Sequence, residues 1–272
     1  MIVYLKHQLV KVIEKIPLLQ IFIYNNLEIF DFLLPHDKDY YALKLLFSVN
    51  ERRSFLDIGG NIGLSSIGFR KLGYKNTIHI FEPDKKLVSR NLLKIKKKYK
   101  NIKIHSVGLS NKNSFQNLYK AYYKNIYFHF NNSFDQKYIK QKLYENYGDK
   151  SKKFLIKSKK LSLKKFDNMK INDRVCFIKI DVEGLDHKVL YGMKNCIKKF
   201  LPVILVEYNY SNFSMIYKFL KKKYYCYIYD LKKDAMIKLK EQQIQKLNRG
   251  KILENTFKKN SVNVYFLKKN FK

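Results

Sequence analysis

A chain of 272 residues, 46% of them hydrophobic, can bury the core of one large α/β domain better than the cores of two. Its net charge of +34 suggests a polyanion binder, yet among 56 basic residues only Arg52, Arg53, Arg70, Arg90, Arg174 and Arg249 are arginine. Lysine spread evenly with Asn, Ile and Tyr reads as A/T-rich codon bias, and lysine lacks the planar fork that reads bases, so a nucleic-acid surface is disfavoured while acidic glycans and anionic lipid headgroups stay open as partners.

Residues 1–50 read as a helical extension. From Ile2 to Phe22, the residues Leu5, Leu9, Val12, Ile13 and Ile16 take the spacing of one helical face, with Pro17 as the break. A helix packed on the domain is expected; its basic polar face makes a membrane-surface helix the alternative. Lys6, His7, Lys11, Glu14 and Lys15 deny this stretch the ~20 consecutive apolar residues of a membrane span, and no small-residue site marks a signal peptide. The expected compartment is the cytoplasm, with peripheral contact at the inner face of an anionic membrane as the variation. LEIFDFLLPHDKDYYALKLLF then predicts a short extended piece, a turn over Pro35 to Asp39, and a helix that Asp37 or Asp39 can cap.

Residues 51–272 alternate strand and helix, the mark of βαβ units and a mostly parallel sheet with helices on both faces. SFLDIG, TIHIFE, IKIHSV, VCFIKID, PVILVEYN, YYCYIYD and VNVYFLKK supply seven strands, and the inner ones are nearly continuous apolar runs. Helices are predicted near Ile62 to Leu72, Lys85 to Lys98, Leu185 to Phe200 and Phe213 to Lys222. Residues 108–174 are too long for a connection and predict an insertion after the third strand, a lid or substrate platform with a hairpin around NLYKAYYKNIYFHF. Its stretch from Lys150 to Lys160 reads equally as a disordered lysine-rich loop. Cys176, Cys196 and Cys226 lie far apart in apolar stretches and read as reduced core residues. No histidine falls at metal-ligand spacing, so no zinc site is expected.

The first strand ends in Asp57 and enters a turn containing Gly59, Gly60, Asn61 and Gly63; Glu82 ends the second strand. A glycine turn followed by an acid at the next strand tip holds an adenosine-containing cofactor in α/β folds. A nicotinamide or flavin site needs G-x-G-x-x-G, which fails because Asn61 and Ile62 occupy the second glycine position. A P-loop needs G-x-x-x-x-G-K-[ST], which fails because Phe69 and Arg70 follow Gly68. What remains is D-x-G-G-N-x-G followed by E-P.

That pattern, Asp57-x-Gly59-Gly60-Asn61-x-Gly63 with Phe81-Glu82-Pro83, resembles the S-adenosylmethionine site of class I methyltransferases, a Rossmann-like fold. FIKIDVEGLDHKVLYGM from Phe177, followed by PVILVEYN, resembles the FkbM family more narrowly, whose D-x-G-A-N-x-G, F-E-P, K-x-D-x-E-G and V-E elements run here from Leu34 to Lys268. LLPHDKDYY, the Asn132-Ser133 pair, LSLKKF and VNVYFLKK also fall where that family has comparable features. Gly60 stands where alanine is usual, and Lys164 stands where an aspartate commonly follows leucine, so no role is carried over to that position. The resemblance implies S-adenosylmethionine held by Asp57, Gly59, Gly60, Asn61, Gly63, Glu82 and Pro83, with adenine across the third strand's end near Ser106, Val107 and Gly108. Gly59 and Gly60 permit a tight turn and positive φ, and a helix starting near Ile62 directs free amides toward the methionine carboxylate. Glu82 can accept both ribose hydroxyls, each bond worth ~1.5–3 kcal/mol. Asp57 either balances the cofactor's positive charge or braces the turn through backbone amides.

KIDVEG places Lys179, Asp181 and Glu183 on one face of a strand end, where open α/β sheets bind ligands. Charges there are expensive to shield, so these residues and Glu207 are the catalytic candidates. Asp181 is expected as general base or metal ligand on an acceptor hydroxyl, with Lys179 lowering that hydroxyl's pKa. In the competing reading, Lys179 and Asp181 are a structural pair and Glu183 caps a helix. Asp181 and Glu207 also offer oxygen ligands to a divalent cation such as magnesium. His187 reads as an exposed helix residue or an auxiliary base; Tyr208, Tyr210, Tyr122, Tyr123 and Tyr127 are candidates for a sugar face.

The implied function is an O-methyltransferase acting on a glycan or small-molecule hydroxyl, with a sugar of a cell-surface glycan or its precursor as the expected acceptor. An RNA 2′-O-methyltransferase is one alternative, favoured by charge and the Lys179/Asp181 pair, but it needs a second lysine that the fifth strand lacks. A non-catalytic module binding anionic glycan or membrane is the other.

Overall fold

The computed structural model describes residues 35–124, 126–250 and 263–271, preceded by positions 9, 12, 13, 16, 18, 19, 22, 23, 26 and 33. Leu5, Pro17 and most of LEIFDFLL lie outside the described residues. In the extension Ile13 is buried, but Leu9, Val12 and Ile16 are exposed, so the predicted packing face turns only one described member inward. Asp37 is the cap of the next element: its carboxylate accepts the Asp39 amide at 2.9 Å and starts the 3-10 turn Lys38–Ala42, which continues into the helical turn Leu43–Leu46.

The first half of the α/β domain contains β1 (Ser54–Ile58), α1 (Leu64–Lys71), β2 (Ile78–Phe81), α2 (Leu93–Lys98) and β3 (Ile102–His105). A π turn, Val88–Leu92, joins α2 to the short helical stretch Lys85–Leu87. The insertion holds β4 (Gly108–Leu109), β5 (Ser114–Tyr123), β6 (Ile126–Ser133), α3 (Gln136–Tyr147) and β7 (Phe154–Lys164). The second half runs β8 (Val175–Ile180), α4 (Asp186–Gly192), α5 (Lys194–Phe200), β9 (Val203–Glu207), α6 (Tyr210–Leu220), β10 (Tyr224–Asp230), β11 (Ala235–Lys238), α7 (Glu241–Asn248) and β12 (Asn263–Lys268).

The main sheet has the order β11-β10-β12-β9-β8-β1-β2-β3. Its β3-β2-β1-β8-β9 half is parallel, and β12, β10 and β11 join antiparallel. All seven predicted strands are present; β11 is an added edge strand. Every residue of β1, β2 and β8 is buried because both faces of the sheet are covered. Alternation sends Leu56, Ile58, Ile178 and Ile180 to a core under α4, α5 and α6. Phe55, Ile78, Ile80 and Phe177 go to the other core, under α1 and α2. There Phe55, Phe69 and Phe177 meet edge to face at 5.2 to 5.8 Å, each pair adding ~0.5–1.5 kcal/mol to area burial.

The insertion is a second sheet, β4-β7-β5-β6, and the hairpin around NLYKAYYKNIYFHF is β5 with β6. Residues 150–160 are ordered, not a loop: they form the end of a 3-10 turn and most of β7, which pairs with β5 from Ser114↔Leu163 to Tyr123↔Phe154. A strand held between two neighbours satisfies its backbone whatever its surface charge. Helix α3 covers one face, burying Ile139 and Leu143 against Ala121 and Phe128.

Candidate active site

The strand order reverses between β1 and β8, and the crevice beyond the carboxyl ends of such a pair is where open α/β sheets hold ligands. The β1–β8 register sets Asp57 opposite Lys179. The Lys179 Nζ lies 3.6 Å from Asp57 Oδ1 and 3.2 Å from Asp181 Oδ2, and it donates to the Gly59 carbonyl at 3.4 Å. Burial opposes its charge, but Asp181 and Asp57 hold the ammonium above its ordinary pKa. Its ammonium thus faces three protein oxygens and lies between the two carboxylates.

In the turn, Gly59 has φ +81°, but Gly60 does not need positive φ. A Cβ on Gly59 would come within 1.8 Å of the Asp181 carbonyl, and one on Gly60 within 2.2 Å of Ile80 Cγ2. Positive φ and the backbone oxygen beside it require glycine at position 59, whereas an alanine at position 60 would need the Ile80 side chain to shift. The helix after the turn starts at Leu64, two residues later than predicted, and no side chain caps it, so its first-turn amides have no side-chain acceptor.

Glu82 is buried and braces this turn: one oxygen accepts the Asn61 amide at 2.9 Å, the other the Asp84 amide at 2.8 Å. Burial pushes its carboxyl up to about 7 against those two bonds. Asp57 makes no such backbone bonds. One of its oxygens accepts the Ser66 hydroxyl at 2.6 Å, and its buried Oδ1 has no hydrogen-bond partner. Asp57 Oδ1, which the Lys179 ammonium approaches only to 3.6 Å, and the Glu82 oxygens, each with a lone pair left over, fit a group bearing a cation and hydroxyls. At the third strand's end Ser106 is exposed, whereas the Val107 side chain is spent on the core and Pro83 packs with Leu163 over Gly108. Val107 therefore offers adenine only backbone.

Toward the acceptor side, Asp181, Glu183 and Glu207 bring carboxylate oxygens within 4.8 Å of one another, a spacing that a cation or shared protons can bridge. Strand β8 stops at Ile180, and Glu183 sits in the following turn at φ +55°, not on the strand face with Lys179. Its carbonyl accepts the Ser133 hydroxyl at 2.8 Å. Asp186 closes the turn, accepting the Val182 amide at 3.1 Å, so Glu183 is not a helix cap. Burial and the Asp181 charge push Glu207 up to about 8; burial, Glu207 and Asp181 push Glu183 well above its ordinary value.

Sequence reasoning missed Tyr138 and Lys142 on α3. The Tyr138 ring lies 3.5 Å from where a Gly184 Cβ would stand, and Lys142, despite burial, is held above its ordinary pKa by Glu207 and Glu183. Asp135 accepting the Lys137 and Tyr138 amides marks the start of α3, and Ile139 with Leu143 marks its apolar face. No local signal places that helix beside the acids.

The insertion also reaches the cofactor side. Lys120 Nζ and the Tyr127 hydroxyl each donate to Asp84 Oδ2 at 2.6 Å. Burial works against this carboxylate's charge, but Lys120 and Tyr127 keep its pKa below the usual value. Tyr122 and Tyr127 have ring centroids 5.3 Å apart, while Tyr123 packs on Phe154. Tyr208 donates to the Leu247 carbonyl at 2.6 Å and is a packing residue; Tyr210 is exposed. His187 is half-buried, edge-on to Tyr191, not exposed as predicted.

Among solved structures the chain is similar to methyltransferase FkbM from Methylobacillus flagellatus KT, with 16% identity and a TM-score of 0.49 over 87% of this chain and 52% of that one. It thus spans about half the length of that protein. It is also similar to a candidate rRNA methylase from Clostridium thermocellum, with 10% identity, TM-score 0.44, and coverage of 85% and 92%. A third is precorrin-6y C5,15-methyltransferase from Geobacter metallireducens GS-15, with 10% identity, TM-score 0.39, and coverage of 84% and 85%. No curated protein matches the sequence significantly. A family model described as the methyltransferase FkbM domain matches residues 57–227, from Asp57 at the tip of β1 into β10, and the chain belongs to the FkbM methyltransferase family.

Proposed function

We propose that the protein is an S-adenosylmethionine-dependent O-methyltransferase of the cytoplasm that methylates a hydroxyl on a sugar of a cell-surface glycan or its precursor. The observation that carries this reading is Lys179 lying between Asp57 on the cofactor side and Asp181 on the acceptor side. When bound, S-adenosylmethionine supplies an electrophilic methyl group. Glu82 accepts ribose hydroxyls on its free lone pairs, and Asp57 offers Oδ1 to the cationic end. Asp181 takes the acceptor's proton, a contribution of ~10²–10⁴-fold, with Lys179 at 3.2 Å aiming the carboxylate.

Burial and the Asp181 charge push Glu207 up to about 8, and its protonated form can donate to a sugar oxygen. A crowded set of carboxyls, some of them protonated, suits a polyhydroxylated acceptor. Strand β9, Val203–Glu207, lacks the second lysine that RNA chemistry calls for. No described helix is long and apolar enough to cross a membrane. Calorimetry with S-adenosylmethionine, then mass spectrometry of glycans from cells with and without the protein, tests the reading. Absence of cofactor binding would sink the enzyme; altered RNA with unchanged glycans would replace the acceptor.

A further inference from the structure

The turn after β8 carries two successive residues in the left-handed region, Glu183 at φ +55° and Gly184 at φ +100°. Glycine takes that conformation freely, but a residue with a Cβ keeps it only where its surroundings hold it. Three side chains hold this turn. Asp186 accepts the Val182 amide at 3.1 Å and Asn212 Nδ2 donates to the Gly184 carbonyl at 3.1 Å, both from within the α/β domain. The Glu183 carbonyl, at the strained residue itself, accepts the hydroxyl of Ser133 at 2.8 Å, from the end of β6 in the insertion, 50 residues away.

Ser133 is itself fixed before it reaches that carbonyl. Its backbone is in register with Tyr119 on β5, its Oγ accepts the Asp135 amide at 3.1 Å, and the neighbouring Asn132 side chain donates to the Tyr127 hydroxyl at 2.5 Å. The residue is 1% exposed, so bulk water does not compete for its hydroxyl. Docking of the insertion has other supports, because Leu118, Leu161 and Leu163 are buried and Lys120 meets Asp84 at 2.6 Å. The effect of the Ser133 bond therefore falls on the turn. There the half-buried Glu183 brings a carboxylate oxygen within 4.8 Å of Asp181 and Glu207, and a change of backbone conformation at Glu183 would swing its side chain out of that group. We propose that Ser133 is a positioning residue for methyl transfer: through the Glu183 carbonyl it holds the turn that presents the Glu183 carboxyl, beside Asp181 and Glu207, to a hydroxyl of the acceptor. The link to methyl transfer rests on the function proposed above, whereas the geometry of the turn does not.

Two readouts on the full chain test it. In crystals, Ser133→Ala is expected to move Glu183 out of the left-handed region and its carboxyl away from Asp181 and Glu207, while Ser133→Thr, which keeps the hydroxyl, retains both. Methyl transfer from labelled S-adenosylmethionine is then followed into an extract of cells lacking the protein, so the acceptor need not be known in advance. Ser133→Ala is expected to lose roughly five- to tenfold in transfer, with calorimetric cofactor affinity within a factor of about two, and Ser133→Thr to recover most of the loss. In a Glu183→Ala background the same Ser133→Ala change is expected to cost less than about twofold, because the side chain it positions is gone. Ser133→Cys, similar in shape but a weaker donor, shifts both readouts the same way and carries the test if the alanine variant misfolds. Glu183 unmoved in the variant crystal, or a loss as large with Glu183→Ala as without it, overturns the proposal. No cofactor binding by the wild type, with Glu183 displaced in the variant crystal, would instead sink the methyl-transfer reading and leave Ser133 as the residue that holds Glu183.

Discussion

Replacing Glu82 with glutamine separates the two tasks the structure gives this carboxylate. Each oxygen accepts one backbone amide, Asn61 at 2.9 Å and Asp84 at 2.8 Å. Glutamine has one carbonyl oxygen, so one of those amides must face an NH2 group. The loss is a charge-assisted bond of ~1.5–3 kcal/mol plus ~1–3 kcal/mol for the stranded donor. In a domain of this size each kcal/mol moves the unfolding midpoint by roughly 2–4 °C, so Glu82→Gln should melt about 5–20 °C lower without cofactor. The same substitution removes an acceptor for the ribose, so calorimetry at a pH near 8, where the wild-type group is ionised, should show S-adenosylmethionine binding weakened by roughly 10–150-fold. A folded variant with wild-type affinity would take Glu82 out of the cofactor site. Weakened binding with an unchanged midpoint would refute the bracing of the turn.

Asp181→Asn should keep cofactor affinity and lose ~10²–10⁴-fold in turnover; near-normal turnover would exclude Asp181 as base. Because Glu82 sits at about 7 against an ordinary 4.5, cofactor binding to its ionised form should release a proton. Affinity should then fall roughly tenfold per pH unit from about 7 down toward the ordinary carboxylate range, whereas a flat profile would refute this. The sign for stability is opposite: the raised pKa favours the fold fully below the ordinary value, and that contribution is lost as pH rises through about 7. Lys120→Met strands the buried Asp84 carboxylate and should cost ~3–5 kcal/mol in denaturant unfolding; a cost under about 1 kcal/mol would show that the insertion does not hang on this pair. If Asp181, Glu183 and Glu207 hold a required metal, chelation will abolish turnover; with Lys142 and Lys179 nearby as counter-charges, turnover after EDTA treatment should stay within a factor of about two.

Much of the fold was legible because its signals are local. Apolar runs in β1, β8 and β9 are strands wherever both sheet faces are covered, and Gly59, Gly60 and Glu82 recur at a spacing set by one βαβ unit. The insertion was legible only as an interruption. Its lysine-rich strand β7 carries no hydrophobic alternation strong enough to distinguish it from a loop, and its order comes from pairing with β5. Asp57 and Glu82 show the same limit at the site. Sequence named both acids, but which one braces the turn depends on the amides that the folded turn presents.

Sequence alone thus determined the α/β class, the family, and the residues gathered at the strand ends, because hydrophobic period and motif spacing are properties of neighbouring residues. Tertiary structure decided the commitments: Lys179 turned toward Asp57 and Asp181, Tyr138 and Lys142 brought to the acids from the insertion, and Leu9, Val12 and Ile16 left facing outward. Each of those depends on charge and burial between segments far apart in the chain, and no local pattern encodes the distance between them.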